Sequence, residues 1–232
     1  MKYMGSKARH AKEILAIVLK DRYASQWYVE PFVGGANVIE NVKEPCLGFD
    51  TDKDLIGLLK AASGGWMPPA DITEDDYKLL KKDFPKGNPL RGYAAFALSY
   101  GGKKWGGWRR DSTGNRDYAD EARRSALVQF PKLRGIVFEC KSYEDLDLPE
   151  KSLIYCDPPY AGTTSYGTRW DDKKFWDVAE KWVNDGHAVF VSEYTAPDGW
   201  ICVWEKPVKS SLTKNTGAKI AIEKLFTKEK TK

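Results

Sequence analysis

The sequence is poor in metal-binding residues and has no long apolar run. Its 232 residues include four cysteines and two histidines, and no two cysteines have C-x-x-C spacing, so a zinc site is not expected. Each cysteine lies in an apolar or strand-like run, which predicts four small buried side chains: Cys46, Cys140, Cys156 and Cys202. No apolar stretch approaches the roughly 20 residues of a membrane helix, and the first residues lack the apolar core of a signal peptide. We therefore expect a cytoplasmic protein without a membrane or metal partner.

The composition is that of a globular protein rich in aromatic residues. Hydrophobic residues make up 42% of the chain and charged residues 30%, which argues against disorder and allows a full core. The formal net charge of +4 permits an anionic partner without identifying one,. Nine tryptophans and twelve tyrosines could stack on nucleic-acid bases or simply fill the core,. Composition alone therefore allows nucleic-acid binding but does not establish it.

Apolar periodicity predicts strands alternating with helices over much of the chain. Helices are predicted at residues 6–20, 36–42, 54–62, 74–83 and 172–184, and strands at 27–29, 46–49, 136–140, 152–156, 188–192, 201–205 and 219–226. This pattern predicts an α/β fold with a mostly parallel sheet. The last two strands, with no helix between them, predict an antiparallel hairpin at one edge. The Gly- and Pro-containing stretch 63–134 interrupts the pattern and is interpreted as an insertion.

The most informative motif is Asp157-Pro158-Pro159-Tyr160, which directly follows the predicted strand 152–156. Ligands of open α/β sheets bind outside the carboxyl ends of the strands, so Asp157 is expected beside a bound cofactor. Because proline has no N–H, the carbonyl of Asp157 or Pro158 is left as an acceptor. This carbonyl and the carboxylate could each accept one hydrogen of an exocyclic amine, while Tyr160 stacks on the base. The motif indicates methyl transfer to an aromatic amine, with a strand and a rigid turn as the alternative interpretation.

A second motif combines a glycine turn with an acidic residue at the end of the next strand. In the turn from Pro31 to Gly35, missing Cβ atoms let a ligand approach the backbone,. Asp50 could accept hydrogen bonds from both hydroxyls of a ribose. The pair predicts a nucleoside cofactor, although the turn is not a G-x-G-x-x-G fingerprint and a tight turn with a helix N-cap is the alternative.

The ordered set of motifs resembles the DNA adenine methylase (Dam) family. The matching motifs are Tyr3-Met4-Gly5-Ser6-Lys7, Pro31-Phe32-Val33-Gly34-Gly35, Gly48-Phe49-Asp50 and Cys156-Asp157-Pro158-Pro159-Tyr160. The resemblance covers nearly the whole chain and implies a Rossmann-like methyltransferase that uses S-adenosyl-L-methionine. The implied organisation is a catalytic domain over residues 1–62 and 135–232, with an inserted target-recognition region over residues 63–134.

The resemblance also implies roles for individual residues. The residues implied to contact S-adenosyl-L-methionine are Tyr3, Lys7, Phe32, Gly34, Gly35, Asp50, Ser142, Tyr143 and Asp157. The residues implied to hold the flipped adenine, as the catalytic set, are Asp157, Pro158 and Tyr160. In this assignment Tyr3 and Lys7 belong to a segment that closes over the cofactor, and Lys7 pairs with the methionine carboxylate.

Residues 100–110 differ from the Asn- and Arg-rich stretch that the Dam family has between these motifs, which leaves the target sequence open. Basic and aromatic side chains between glycines suit a nucleic-acid surface, with a solvated loop and two core tryptophans as the alternative. A loop before the last strand resembles a family loop that touches DNA near the flipped base, and an ordinary polar hairpin loop is the alternative there. The predicted DNA contacts are Lys103, Lys104, Trp105, Trp108, Arg109, Arg110, Ser211 and Lys214.

Together the motifs predict methyl transfer to the 6-amino group of an adenine flipped out of double-stranded DNA, by a monomer or weak dimer. Methylation of the cytosine 4-amino group is an alternative, but cytosine enzymes more often begin the tetrapeptide with Ser than with Asp. An RNA adenine methylase is another alternative. A nicotinamide-dependent oxidoreductase would use the glycine turn and Asp50 but not Asp157, and a non-catalytic DNA-binding module would use only the insertion.

Overall fold

The computed structural model describes residues 1–159, 170–209 and 220–229. The α-helices are α1 (Ala11–Val18), α2 (Lys53–Ser63), α3 (Glu74–Asp83), α4 (Pro89–Phe96), α5 (Tyr118–Gln129) and α6 (Asp172–Asn184). The strands are β1 (Tyr28–Glu30), β2 (Cys46–Asp50), β3 (Val137–Cys140), β4 (Leu153–Cys156), β5 (Ala188–Glu193), β6 (Ile201–Lys209) and β7 (Ile220–Thr227). Short 3-10 turns lie at Ile39–Asn41, Tyr100–Gly102, Phe130–Leu133 and Tyr143–Asp145. No helix in these ranges has the length and apolar character needed to span a membrane.

The strands form a sheet in the order β3-β2-β1-β4-β5-β7-β6. Parallel pairs are β2 with β3, β1 with β4 and β4 with β5, whereas β7 pairs antiparallel with both β5 and β6. This confirms the predicted α/β fold with a mostly parallel sheet and an antiparallel hairpin at one edge. Because β1, β4 and β5 run parallel, the residues at their carboxyl ends share one edge of the sheet: Glu30, Asp157 and Glu193,.

The first of two compact units comprises residues 1–13 and 32–146. Its core is built around α2, whose side chains Leu55, Leu58 and Leu59 are fully buried, and burying one such leucine contributes about 1.5–3 kcal/mol. Helix α4 approaches α2 so closely that a Cβ at Gly92 would lie 2.1 Å from the carbonyl oxygen of Asp54. Only glycine fits there. This packing fixes α2, the helix that follows Asp50.

The second compact unit comprises the described residues of 14–31 and 147–232. Every residue of β4 is buried, as expected for a strand inside a parallel sheet. Helix α6 begins behind Asp171, whose side chain accepts a hydrogen bond from the backbone N–H of Lys174,. Its apolar face buries Phe175, Ala179 and Trp182. The buried strand β4 therefore determines where the chain emerges at Asp157.

The predicted helix at residues 36–42 is wrong. Only a 3-10 turn at Ile39–Asn41 forms there, because Ala36 has a φ of 57°, which a right-handed helix cannot include. The side-chain amide of Asn41 also donates to the carbonyl of Asn37 at 3.1 Å, in competition with helical hydrogen bonding. The glycine turn is therefore not followed by a full helix with a strong N-terminal dipole.

The stretch 63–134 contains more regular structure than the sequence predicts. Helices α4 and α5 are additional to the predicted elements, and they begin behind the cap residues Asn88 and Asp117,. Pro89 at the first position of α4 is also typical of a helix start,. The compact units are defined by packing, so the predicted division into a catalytic domain and a target-recognition region stays a prediction.

Two of the four cysteines differ from their prediction. Cys46 and Cys156 are buried, whereas Cys140 and Cys202 are exposed. Cys140 ends β3 and Cys202 lies in β6, and these are the first and last strands of the sheet order. Edge strands leave one side open to solvent, so an apolar run in them does not imply full burial.

Candidate active site

In the first unit, the glycine turn is covered by the side chain of Tyr3. A Cβ at Gly35 would lie 2.6 Å from the Cβ of Tyr3, and a Cβ at Gly34 would lie 2.9 Å from a carbon of the Tyr3 ring. Gly34 also has a φ of 47°, in the left-handed region that favours glycine,. The two glycines are therefore required for the N-terminal segment to pack onto the turn.

The N-terminal segment is also held by residues 99–110, named here the aromatic-basic loop, and by α4. The ring centroids of Tyr3 and Phe96 are 5.5 Å apart. The backbone N–H of Met4 donates to the carbonyl of Gly102 at 3.2 Å. Lys7 follows in this segment and is buried. Tyr3 and the glycine turn thus form one packed group with the start of the aromatic-basic loop.

Asp50 ends β2 and receives several backbone hydrogen bonds. Its Oδ1 accepts from the N–H of Asp52 at 2.9 Å, and the N–H groups of Gly34 and Thr51 also act on the carboxylate. Removal of the carboxyl from water raises the pKa of Asp50 to about 6, and the negative charge of Asp52 adds to the rise,. Asp50 is half-buried, so a carboxylate oriented by backbone amides can still accept hydrogen bonds from ligand hydroxyls.

An aromatic pair follows the glycine turn and β3. The ring centroids of Phe32 and Tyr143 are 5.2 Å apart. Tyr143 is buried and follows Ser142, whose hydroxyl accepts from the N–H of Glu144 at 3.4 Å. The strand before them pairs with β2 so that Cys140 lies opposite Asp50. The first unit therefore brings a tilted pair of aromatic rings and a half-buried carboxylate to the ends of β2 and β3, groups that fit the base and ribose of a nucleoside,.

In the second unit, Asp157 begins the loop that leaves β4. Its side chain is half-buried, the following Pro158 is buried, and Pro159 is exposed. Neither proline has an N–H, so the first two residues after the carboxylate add carbonyl acceptors and no backbone donors. This arrangement suits a ligand group that donates two hydrogen bonds.

The last residues of β4 carry protons at neutral pH. Burial, with the charge of Asp157 as the second cause, raises the pKa values of Tyr155 and Cys156 well above their ordinary values,. The Tyr155 hydroxyl lies 2.9 Å from Oγ of Ser192, which links β4 to β5 next to the Asp157 loop. A protonated phenol and a protonated buried thiol are poor nucleophiles.

Two buried acidic residues lie at the same edge of the sheet as Asp157. Glu30 ends β1 and accepts a hydrogen bond from the hydroxyl of Tyr28 at 2.8 Å. Glu193 ends β5 and accepts from the N–H of Tyr194 at 2.7 Å. The sequence motifs gave neither residue a role. Glu30 directly precedes the glycine turn, and because ligands of α/β sheets bind at the carboxyl ends of strands, this position is a signal that could have identified it.

Within the aromatic-basic loop, the basic residues differ in their surroundings. Lys103 is exposed. Lys104 forms an ion pair with Asp52 at 2.7 Å, and Nε of Arg110 donates to Glu74 at 3.0 Å. The predicted DNA contacts of this loop are therefore not equivalent, because Lys104 is engaged inside the protein.

The aromatic residues of the loop are packed against the helices of the first unit. The rings of Trp105 and Trp108 lie 5.2 Å and 5.7 Å from that of Tyr77, with edge-on geometry. The Arg109 guanidinium lies 4.2 Å from the ring centroid of Tyr118, a cation–π geometry. Both tryptophans are partly exposed. The remaining predicted contacts, Tyr160, Ser211 and Lys214, lie outside the described residues.

Across residues 1–159, 170–209 and 220–229, no group of three His, Cys, Asp or Glu side chains is placed to hold a metal ion. The site residues described above are carboxylates, carbonyls and aromatic rings. These groups fit an organic cofactor and an amine.

Comparisons with known proteins identify the family. No curated protein sequence matches the chain significantly. Among solved structures, the chain is similar to the tRNA (m1A58) methyltransferase TrmI from Aquifex aeolicus, with 10% identity and a TM-score of 0.42 over 96% of this chain and 70% of that one. It is also similar to SMU.472 complexed with SAH, with 12% identity and a TM-score of 0.41 over all of this chain and 55% of that one. The family model of the D12 class N6 adenine-specific DNA methyltransferases matches residues 3–104 and 106–197. The chain therefore belongs to the D12 class of N6 adenine-specific DNA methyltransferases.

Proposed function

We propose that the protein methylates the 6-amino group of an adenine rotated out of double-stranded DNA, with Asp157, Pro158 and Tyr160 holding the base. The family makes it an adenine-specific DNA methyltransferase with S-adenosyl-L-methionine as methyl donor. This membership favours adenine over cytosine and an enzyme over a non-catalytic DNA-binding module. The observation that supports the proposed mechanism is the emergence of Asp157 and two donor-free prolines from the buried strand β4.

The chemistry needs alignment and a polarised amine. Bound S-adenosylmethionine supplies an electrophilic methyl group on a sulfonium. The carboxylate of Asp157 and a neighbouring carbonyl accept the two amine hydrogens, which directs the nitrogen lone pair toward that methyl group. As the N–CH3 bond would form and the S–CH3 bond break, leaving S-adenosylhomocysteine as a neutral thioether, the amine becomes cationic and both hydrogen bonds strengthen, so the transition state is stabilised more than the ground state. The methylated amine then releases one proton to water. Tyr160 stacks on the base, and its removal costs about 1–3 kcal/mol of base binding.

The first unit supplies the proposed cofactor contacts. Asp50 accepts hydrogen bonds from the ribose hydroxyls, and the aromatic pair of Phe32 and Tyr143 contacts the adenine ring of the cofactor, with Ser142 beside it. Tyr3 and Lys7 contact the methionine end, where the buried cation of Lys7 pairs with the carboxylate,. Gly34 and Gly35 supply the backbone at the turn, and Asp157 lies near the transferred methyl group.

The proposed DNA surface combines charge with aromatic rings. In the aromatic-basic loop, exposed Lys103 and the Arg110 side chain reach phosphates, while Arg109 reads a base edge or a phosphate. The partly exposed rings of Trp105 and Trp108 pack along the duplex. Ser211 and Lys214 contact DNA near the flipped adenine. A monomer or weak dimer acting on duplex DNA in the cytoplasm fits these contacts.

The decisive experiment separates the substrates. The protein is incubated with methyl-labelled S-adenosylmethionine and one of three substrates: unmethylated duplex DNA, the same sequence single-stranded, or RNA. Digested products are analysed for N6-methyladenine and N4-methylcytosine. Label in N6-methyladenine of duplex DNA supports the proposal, and label in RNA or cytosine contradicts it. A 2-aminopurine at the target adenine should become fluorescent in the complex, because flipping unstacks it.

A further inference from the structure

Lys104 is held in an acidic pocket of the first unit. Its Nζ lies 2.9 Å and 2.7 Å from the two carboxylate oxygens of Asp52 and 3.2 Å from Oδ2 of Asp54. The Lys104 side chain is 27% exposed, and that of Asp54 is fully buried. No described residue donates a hydrogen bond to Oδ2 of Asp54, so the ammonium of Lys104 is the cation that offsets this buried oxygen.

Asp52 connects Lys104 to Asp50. The Asp52 side chain accepts hydrogen bonds from the backbone of Asp54 and Leu55, which caps the first turn of α2,. The backbone N–H of Asp52 donates to Oδ1 of Asp50 at 2.9 Å. An ion pair that holds the Asp52 side chain therefore also holds the amide aimed at Asp50.

The backbone around Lys104 is fixed on both sides. The N–H of Tyr100 donates to the carbonyl of Gly107 at 2.8 Å, and the N–H of Trp105 donates to the carbonyl of Ala95 at 2.9 Å. The ring of Trp105 lies 5.1 Å from the guanidinium of Arg91. Arg91 in turn bonds Oδ1 of Asp54 through Nε at 3.1 Å. These contacts fix the backbone on both sides of Lys104, so its side chain enters the acidic pocket from a defined position.

The Lys104 ammonium group partly neutralises a cluster of carboxylates. Three carboxylates, those of Asp50, Asp52 and Asp54, fall within five residues of sequence, and Lys104 contacts two of them. After burial, the charge of Asp52 is a cause of the raised pKa of Asp50. The thiol of Cys140 lies on the paired strand, and its own raised pKa keeps it neutral. Removing Lys104 would leave the Asp52 charge less screened and make ionisation of Asp50 harder.

We propose that Lys104 is a positioning residue for the methyl donor: it holds Asp52 so that Asp50 is ionised and aimed at the ribose hydroxyls. The inference rests on the proposed role of Asp50. It replaces a DNA contact at position 104 with a link between the aromatic-basic loop and the cofactor. Its neighbour Lys103, which is exposed, keeps the role of reaching DNA.

The test compares Lys104→Ala with Lys103→Ala in the full chain. S-adenosylhomocysteine is the probe, because it has the same ribose and no sulfonium charge, and its Kd is measured by calorimetry from pH 5 to pH 8.5. In Lys104→Ala the pH midpoint of binding should rise by about one unit, which weakens binding about fivefold at pH 6. Lys103→Ala should leave this profile unchanged and lower the salt slope of DNA binding by about one.

Two further variants keep the result interpretable. Lys104→Arg should restore much of the midpoint, and Lys104→Met combined with Asp52→Asn should also restore it, because the carboxylate that repels Asp50 is removed with the cation. If Lys104→Ala does not fold, Lys104→Gln, which removes the charge and keeps most of the side-chain length, should raise the midpoint in the same way. A wild-type pH midpoint in Lys104→Ala, with DNA binding weakened as in Lys103→Ala, would overturn the proposed role of Lys104. It would leave the proposed role of Asp50 intact. Unchanged affinity in Asp50→Asn would instead refute the proposed cofactor role of Asp50.

Discussion

Asp50 ends β2 and Asp157 directly follows β4, and the backbone that follows each acid has the opposite character. After Asp50 come Thr51 and Asp52, whose N–H groups donate to its carboxylate. After Asp157 come Pro158 and Pro159, which have no N–H to donate,. One strand end is therefore rich in backbone donors and the other is rich in acceptors.

From this difference we infer that the residues that follow a strand, more than the strand itself, determine which ligand groups the acid at its end suits. A carboxylate fixed by amides is pre-oriented for the two hydroxyls of a ribose. A carboxylate followed by two residues without an N–H suits the two hydrogens of an amine. Under the proposed roles, an acid at a strand end binds the cofactor in one unit and the substrate in the other.

The largest effect is expected from replacing Asp157, because this removes the carboxylate acceptor from the acceptor-rich strand end. Asp157→Ala should lower kcat about 10³-fold while S-adenosylhomocysteine still binds, since removing a group that stabilises developing charge has effects of this size. Asp157→Asn keeps a neutral acceptor and should lose less. The rate of methyl transfer to duplex DNA is measured for both variants under single-turnover conditions. A wild-type rate in Asp157→Ala would remove Asp157 from the mechanism.

The next largest effect is expected on cofactor affinity, from a change at Asp50 at the donor-rich strand end. Asp50→Asn should raise the Kd for S-adenosylhomocysteine about 10- to 100-fold, because hydrogen bonds to a charged acceptor contribute about 1.5–3 kcal/mol. The rate of transfer at saturating cofactor should change much less than in Asp157→Ala. Equal losses of kcat in the two variants would contradict the division of roles between the two acids.

A smaller effect should follow from pH in the wild-type protein. The pKa of Asp50 is about 6, and ribose hydroxyls bind the ionised form, so cofactor affinity should be full above pH 7 and fall below pH 6. The expected rise in Kd from pH 7.5 to pH 5 is about tenfold. Calorimetric titration of S-adenosylhomocysteine measures it, and Asp50→Asn, which cannot titrate, should show a flat profile over this range.

The smallest effect should come from His187, which supports the start of β4, the strand that leads into Asp157. The N–H of Ser152 donates to Nδ1 of His187 at 3.0 Å, so the ring must be neutral on that nitrogen. Burial lowers the pKa of His187 below its usual 6.5. The unfolded chain therefore binds the proton more readily, and stability present above pH 6.5 is lost as the pH falls below it.

This loss should be at most about 1.4 kcal/mol per pH unit. Urea unfolding of wild type and His187→Gln at pH 7 and pH 5 isolates it, because glutamine can accept the same hydrogen bond without titrating. A pH dependence that is identical in the two proteins would show that His187 keeps its proton equilibrium on folding.

Much of the fold is predictable from local sequence. The strands that end at Asp50 and Cys156 and the helix Asp172–Asn184 follow from apolar patterning with polar ends,. The family resemblance, which the D12 match confirms, depends on short motifs at strand ends. These features are readable because each depends on neighbouring residues along the chain.

Features that depend on distant contacts are not predictable in this way. The positive φ of Ala36 replaces a helix with a 3-10 turn, and the packing of Tyr3 on the glycine turn joins segments about thirty residues apart. Lys104 looks like any basic loop residue in the sequence, yet it pairs with Asp52, far earlier in the chain. Periodicity and composition contain no information on such pairings.

The two exposed thiols give this chain a natural pair of chemical reporters. Cys140 lies opposite Asp50 on the neighbouring strand, whereas Cys202 lies in β6 of the other unit. Alkylation followed by mass spectrometry can therefore footprint cofactor occupancy, with protection sought at the first thiol and reactivity at the second as an internal standard. Because partial removal of the sulfur from water and the nearby charge of Asp50 raise the pKa of Cys140, more of its thiolate forms in mildly alkaline buffer, where labelling is faster.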